Sequence, residues 1–351
     1  MFPTKGSRGS RFAAVKRKVL IAAAAIASTV VAGAAHAAMT LTPYAINQGF
    51  KLTTFSTGYP MTMDDQGKGV GPLGLAFTNN GGVLVTDSSG HMRLFANDVD
   101  NQTIANATVT QNYGTTMVSG SALGNATGLT QIGGHIYLSQ QGKGDLVEVT
   151  QTGTLSQMIA TDMGYATGVV ANPANGHVFV TTLGVGKVFD VNPATKTKSV
   201  FTNIAADGLT ISSDGSTLYA LRTDGHVIGY NTVSKAQVFD SGFIAGDLDG
   251  AALGAGTLKG NLYVNTNDGT LVEVNLATKA QQLIASGGSR GDFTQIDLNN
   301  GTLLLTQSDS VLRLAGPGGG GFIETPLPAG VWMGGIMGVG GLVYGRKRAA
   351  K

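Results

Sequence analysis

The chain has 351 residues, 53 of them glycine and none cysteine, which excludes disulfides and thiolate metal sites. The hydrophobic fraction of 42% suffices for a core, and the charged fraction is only 13%. The formal charge of +2 hides two basic ends: six Lys and Arg with no acid in residues 1–37, and four more with no acid in residues 346–351. What remains carries 13 basic against 21 acidic groups, a body charge of about −8 that argues against a nucleic-acid partner.

The first element in chain order is an address. Basic residues ending at Lys18 precede an apolar run over 19–31, then Ala35-His36-Ala37. That order predicts a signal peptide over 1–37, cut by signal peptidase after Ala37. The apolar run of about 13 residues is too short for a bilayer span, which takes roughly 20.

Next, Phe50-Lys51-Leu52-Thr53-Thr54-Phe55 alternates as a strand does. Six units follow. Their starts are Gly74, Gly128, Gly168, Gly208 and Gly250, spaced 54, 40, 40 and 42, and a sixth start at Phe293 lacks the Gly. Each unit continues with an apolar triplet, such as Val178-Phe179-Val180 or Leu218-Tyr219-Ala220, and then a third apolar run. Asn-Gly and Asp-Gly pairs between the runs, such as Asn175-Gly176 and Asp214-Gly215, supply turns. Units of about 40 residues with three or four short strands are propeller blades. The fold class is therefore all-β, a six-bladed β-propeller over residues 38–315. The last unit stops near Leu314, so residues 50–55 are predicted to close the ring as the outer strand of the last blade. The longer first unit predicts an extra loop or hairpin within residues 98–120.

The best candidate for chemistry is the column that heads the units: Leu73, Thr127, Thr167, Asp207, Asp249 and Asp292. The start of an innermost strand faces the channel of a propeller, so Asp207, Asp249 and Asp292 would aim three carboxylates at one axis. Crowded carboxylates raise one another's pKa unless a cation sits among them, and an oxygen-only set suits Ca2+. The competing reading is that each Asp caps its own turn. The histidines repeat by position, His135 with His177 and His91 with His226, as inherited turn residues. Tyr137, Phe179, Tyr219 and Tyr263 read as blade core. Tyr44, Tyr59, Tyr113 and Tyr165 lie in connections and are candidates for the rim of the channel.

The C-terminal region opens with a Gly-rich linker over 316–325. Pro326-Leu327-Pro328-Ala329 follows, then an apolar segment over 331–345 and Arg346-Lys347-Arg348. As a helix, fifteen residues reach only about 22 Å, short of the roughly 30 Å hydrocarbon core. The segment 326–351 resembles the PEP-CTERM sorting signals of the Val-Pro-Leu-Pro-Ala type, with Thr325 in place of the Val. The resemblance implies an exosortase-like partner, transient membrane anchoring through the tail, and delivery to the outer envelope or extracellular matrix.

The body resembles the SMP-30/gluconolactonase-like and NHL-type six-bladed propellers. The stretch that carries this is Asp207-Gly208-Leu209-Thr210-Ile211-Ser212-Ser213-Asp214-Gly215-Ser216-Thr217-Leu218-Tyr219-Ala220. In the lactonases the Asp and Asn heading such units bind a divalent ion, together with a Glu from the first blade. Asp207 matches the Asp; Thr167 stands where the Asn would be, and Leu73 heads the first unit with no Glu near it. Two functions follow as expectations. The first is an exported binding or scaffold protein, with no catalytic set, for an extracellular polysaccharide or protein. The alternative is a metal-dependent lactonase or hydrolase with its cation in the channel. A quinone-dependent sugar dehydrogenase would need basic and aromatic channel residues, which the unit heads do not supply.

Overall fold

A computed structural model of the chain describes residues 38–64, 66–115, 124–142 and 144–318. The signal segment 1–37, most of the linker and the sorting segment 326–351 lie outside the described residues.

Six antiparallel sheets, each built on four strands, form the body as a six-bladed propeller. Each blade begins with an innermost strand: Pro72–Phe77, Ala126–Ile132, Ala166–Ala171, Ala206–Ile211, Leu248–Leu253 and Thr294–Ile296. The apolar triplets are the second strands. They form the most deeply buried layer, and Tyr137, Phe179, Tyr219 and Tyr263 pack within it as expected. Alternation places one set of side chains against each neighbouring blade, so the core lies between blades rather than inside any one of them. Phe201 of blade three, for example, meets Phe179 edge-on at 5.0 Å and Tyr230 of blade four at 6.3 Å. The turn glycines do what their spacing suggested: Gly176 and Gly215 have φ of +74° and +71°, values that cost an L side chain strain.

The ring closes as the alternation of residues 50–55 predicted. Lys51–Thr57 pairs antiparallel with Ser310–Ala315 and completes blade six. The insert of the first unit has a visible task. Gln102–Thr103 runs parallel to Ser56–Thr57 and covers the outer edge of that closing strand, followed by a 3-10 turn over Ile104–Asn106. Capping an edge in this way removes a row of open backbone groups.

One buried cation ties these segments together. The Arg313 guanidinium bonds Asp100 at 2.7 Å and Asp297 at 3.0 Å, and it also pairs with Asp98. Its Nη1 donates to the Thr302 hydroxyl at 2.8 Å. Three further elements were not expected: the two-residue strand Thr40–Leu41 on the outer edge of blade five, the short helix Pro43–Gln48, and the hairpin of Thr62–Met63 with Gly69–Val70. They are too short to show a period. The helix is marked only by local signals, the Thr42 side chain accepting from the Ala45 N–H and Gly49 ending it at φ +89°.

Candidate functional site

The channel is built by one repeated device. In blades one to five the innermost strand carries a register shift where the repeat Gly sits, as between Ala166 and Val169 or between Ala206 and Leu209. A bulge re-aims the residue before it. That residue is the unit head, and all six heads border one cavity of about 110 Å³. The Gly itself is required by close approach. A Cβ on Gly208 would lie 1.9 Å from the carbonyl oxygen of Asp249, and one on Gly168 would lie 2.4 Å from that of Asp207. Each blade's backbone presses against the next at this point.

In four of the six blades a hydroxyl sits at this contact. The Gly74 N–H donates to Thr86 Oγ1 at 2.7 Å, and that hydroxyl donates to the Thr127 carbonyl of the next blade at 2.6 Å. Ser139 repeats the bridge from Gly128 to Thr167, at 3.0 and 2.8 Å. Thr181 repeats it from Gly168 to Asp207. Thr306 accepts from the Phe293 N–H at 2.8 Å. These hydroxyls occupy one column, the residue after each apolar triplet, and aligning the units on the triplets exposes it.

The structure brings Asp207, Asp249 and Asp292 to the same cavity. It also places Arg290 there, which the unit-head column does not contain. Arg290 lies in the loop before the short strand Thr294–Ile296, two residues ahead of Asp292. Its Nη2 is 2.6 Å from Asp292 Oδ1 and 3.3 Å from Asp249 Oδ2, and its Nη1 is 2.7 Å from Asp64 Oδ2. Asp64 is fixed in turn: its Oδ1 accepts the backbone N–H groups of Gln66 and Lys68 at 2.9 and 2.7 Å. One cation from blade six thus gathers carboxylates from blade five, blade six and the hairpin.

The electrostatics separate these acids. Burial pushes the Asp207 carboxyl up to about 6, with Asp292 adding to it against the Thr167 hydrogen bond and Arg290. Burial, then Asp207 and Asp292, raise Asp249 well above the ordinary carboxylate range. Asp292 is raised by burial, although Arg290 pulls the other way. Asp64 moves down: burial opposes the shift, but the Lys68 and Gln66 N–H groups and Arg290 outweigh it. The guanidinium stays charged because Asp292, Asp249 and Asp64 more than offset its burial. A hydrogen bond with the Asp249 carboxyl also holds Asp292 down against its burial.

The aromatic expectations divide. Tyr165 borders the cavity, together with Phe293 of the sixth unit. Tyr59 and Tyr113 do not: both are buried, because their hydroxyls find internal partners in Ser56 at 2.7 Å and the Gly153 carbonyl at 3.0 Å. Tyr44 sits on the short helix and is exposed. The histidines pair within their own blades, His135 with Glu148 at 2.6 Å, His177 with Asp190 at 2.7 Å and His226 with Asp240 at 2.9 Å, and none borders the cavity. Among the described residues no group of three or more His, Cys, Asp or Glu is placed to hold a metal ion.

No protein-family model matches the chain, and no curated protein does. Solved structures do match. A gluconolactonase from Xanthomonas campestris is similar with a TM-score of 0.56 and 13% identity, over 80% of this chain and 95% of that one. A Thermus thermophilus protein described as an oxidoreductase (glucose dehydrogenase) is similar with a TM-score of 0.53 and 16% identity, over 76% of this chain and 100% of that one. At such identities the likeness carries the fold, and the site must carry the function.

Proposed function

We propose that the chain is an exported propeller that works as a binding or scaffold protein at the envelope or in the extracellular matrix, and is not a metalloenzyme. One observation carries the second half. Arg290 sits among the acids that would have to grip a catalytic cation and bonds two of them, Asp249 and Asp292, directly. A divalent ion there would face a fixed guanidinium at close range, and a buried Asp249 raised well above the ordinary range resists the ionised form that a ligand needs. The donor set therefore does not fit a resident Ca2+. The ordered features of both ends support export: the three-part segment over 1–37, and Pro326-Leu327-Pro328-Ala329 followed by an apolar run and basic residues.

The reading has two tests. Deleting residues 326–351 should abolish surface or matrix delivery of the full chain in fractionated cells, leaving it in the periplasm; unchanged delivery would count against a sorting tail. A panel of lactones and esters with Ca2+, Mg2+, Mn2+ or Zn2+ should show no turnover. Metal-dependent hydrolysis that is lost in Asp207→Asn would instead establish the lactonase alternative, which the fold of the Xanthomonas campestris structure favours.

A further inference from the structure

We propose that the end of the propeller opposite the unit heads docks on anionic lipid head groups while the tail holds the chain at a membrane. The inference rests on the reading of the tail above and says which way the body then faces. Strand direction separates the two ends. The strands of a blade are antiparallel, so its first-to-second and third-to-outer turns share one end, and the unit head sits at the other. Ser310–Ala315 is the third strand of blade six and runs away from the heads. The chain therefore leaves the body at the end far from them. Two close approaches fix the exit. A Cβ on Gly316 would lie 2.5 Å from Thr257 Oγ1, in the blade-five turn that ends at Lys259, and one on Gly49 would lie 3.8 Å from Pro317 Cα. Residues 319–330 separate this exit from the apolar segment 331–345, and a stretch of that length reaches at most about 40 Å.

That end carries a row of lysines. The third-to-outer turns of blades three, four and five share one design, in which the side chains of Asn192, Asn231 and Asn275 accept the N–H groups two and three residues on. A lysine closes each turn, Lys196, Lys235 and Lys279, at φ of +55°, +59° and +62°, a conformation that favours Gly or Asn. All three are exposed, and among the described residues none enters an ion pair. The acids that feel Lys196 and Lys279, Glu148 and Asp240, are bonded to His135 and His226 instead. Lys235 and Lys279 lie over the Phe201 and Phe239 rings of the preceding blade at 5.5 and 5.8 Å, so the row spans the grooves between blades. Exposed apolar side chains stand at the same end: Val233 in the blade-four turn, Leu298 in the first turn of blade six, and Ile46 on the short helix beside the exit. Lysines with apolar tips among them suit a bilayer interface better than a dissolved polyanion. The head end is the reverse, because the exposed Asp247 and Asp268 share the single Lys68. The docked body thus turns its channel cavity away from the membrane.

The test is lysine acetylation by a membrane-impermeant ester, read site by site by mass spectrometry. The full chain, purified after export, is added from dilute detergent to preformed vesicles. One vesicle is phosphatidylcholine alone, and the other includes about 30% phosphatidylglycerol. Co-sedimentation with both vesicles reports the tail, and the labelling reports the docked face. Labelling of Lys235 and Lys279 is expected to fall at least about threefold on the anionic vesicles relative to the neutral ones and to recover in about 0.5 M KCl. Lys187, which begins a third strand at the head end, should label equally on both. Co-sedimentation with both vesicles but equal labelling of Lys235 and Lys279 would overturn the docking and leave the anchor standing. Co-sedimentation with neither would overturn the anchor, and the docking with it. Protection of Lys187 in place of Lys235 and Lys279 would assign the opposite face. Protection of the row by dissolved dextran sulfate, with none on the anionic vesicles, would overturn the lipid surface in favour of a polyanion.

Discussion

Two arginines, Arg313 and Arg290, each gather three acids in this propeller, and their surroundings differ. Arg313, at the closure of the ring, faces Asp98, Asp100 and Asp297, and all six carboxylate oxygens there have partners. Asp98 takes Arg313 and Asn300, Asp100 takes Arg313 and Thr53, and Asp297 takes Arg313 and the Asn299 N–H. Arg290, in the channel, also faces three acids, yet there Asp249 and Asp292 are close enough to share a hydrogen bond and Asp207 stands beyond the guanidinium's reach. A completed network holds segments together. The channel cluster instead crowds its acids at a cavity, where burial raises Asp207 and Asp249. The same residue types thus serve as a fastener in one place and line a cavity in the other.

The largest effect should come from the fastener. Arg313→Met leaves the buried Asp297 and the partly exposed Asp98 and Asp100 without a counter-charge and should cost about 3–5 kcal/mol in a urea melt; a loss under about 1 kcal/mol would mean that the network is not what closes the ring. Arg290→Met should cost about half as much, because channel water and protons can compensate the acids it abandons. Its loss should shrink from pH 8 to pH 5 as those acids protonate, and an equal loss at both would erase the contrast between the two clusters.

Asp207→Asn should act in the opposite direction. The folded value of about 6 lies above the ordinary 3.8. Folding therefore takes up a proton between those values, and the stability contributed by this group falls as pH rises through 6. The amide removes that penalty, so the variant should be more stable than wild type at pH 8, by on the order of 2 kcal/mol, and no more stable at pH 3.5. Thermal melts at the two values read the difference, and a destabilised variant at pH 8 would show that the Asp207 charge is compensated in the free protein. The smallest effect is at the surface. His135→Gln breaks an exposed pair with Glu148 and should change stability by less than about 1 kcal/mol, which sets the scale for an ion pair outside both clusters.

The blades, the closing strand and the convergence of Asp207, Asp249 and Asp292 were legible because each is written in register. An apolar triplet, a turn glycine and a unit head recur at nearly fixed spacing, and a strand's alternation survives any tertiary context. Arg290 was not legible, because it lies outside the unit-head column, in the one unit whose repeat Gly is replaced, by Phe293. The hydroxyl column of Thr86, Ser139, Thr181 and Thr306 was legible in principle, but its role depends on how near the next blade's backbone comes. The Arg313 network could not be read from a repeat: Asp98 lies 215 residues away in the insert that breaks the period. Pairing across the ring's seam is a long-range property, and no local pattern encodes it.

The central claim is that the cation among the channel carboxylates is Arg290. Calorimetric titration of Ca2+ into the full chain at pH 7.5, beside Asp207→Asn, tests it directly. The account predicts no saturable heat from either protein. A single tight site in the wild type that disappears in Asp207→Asn would contradict it and place a metal in the channel.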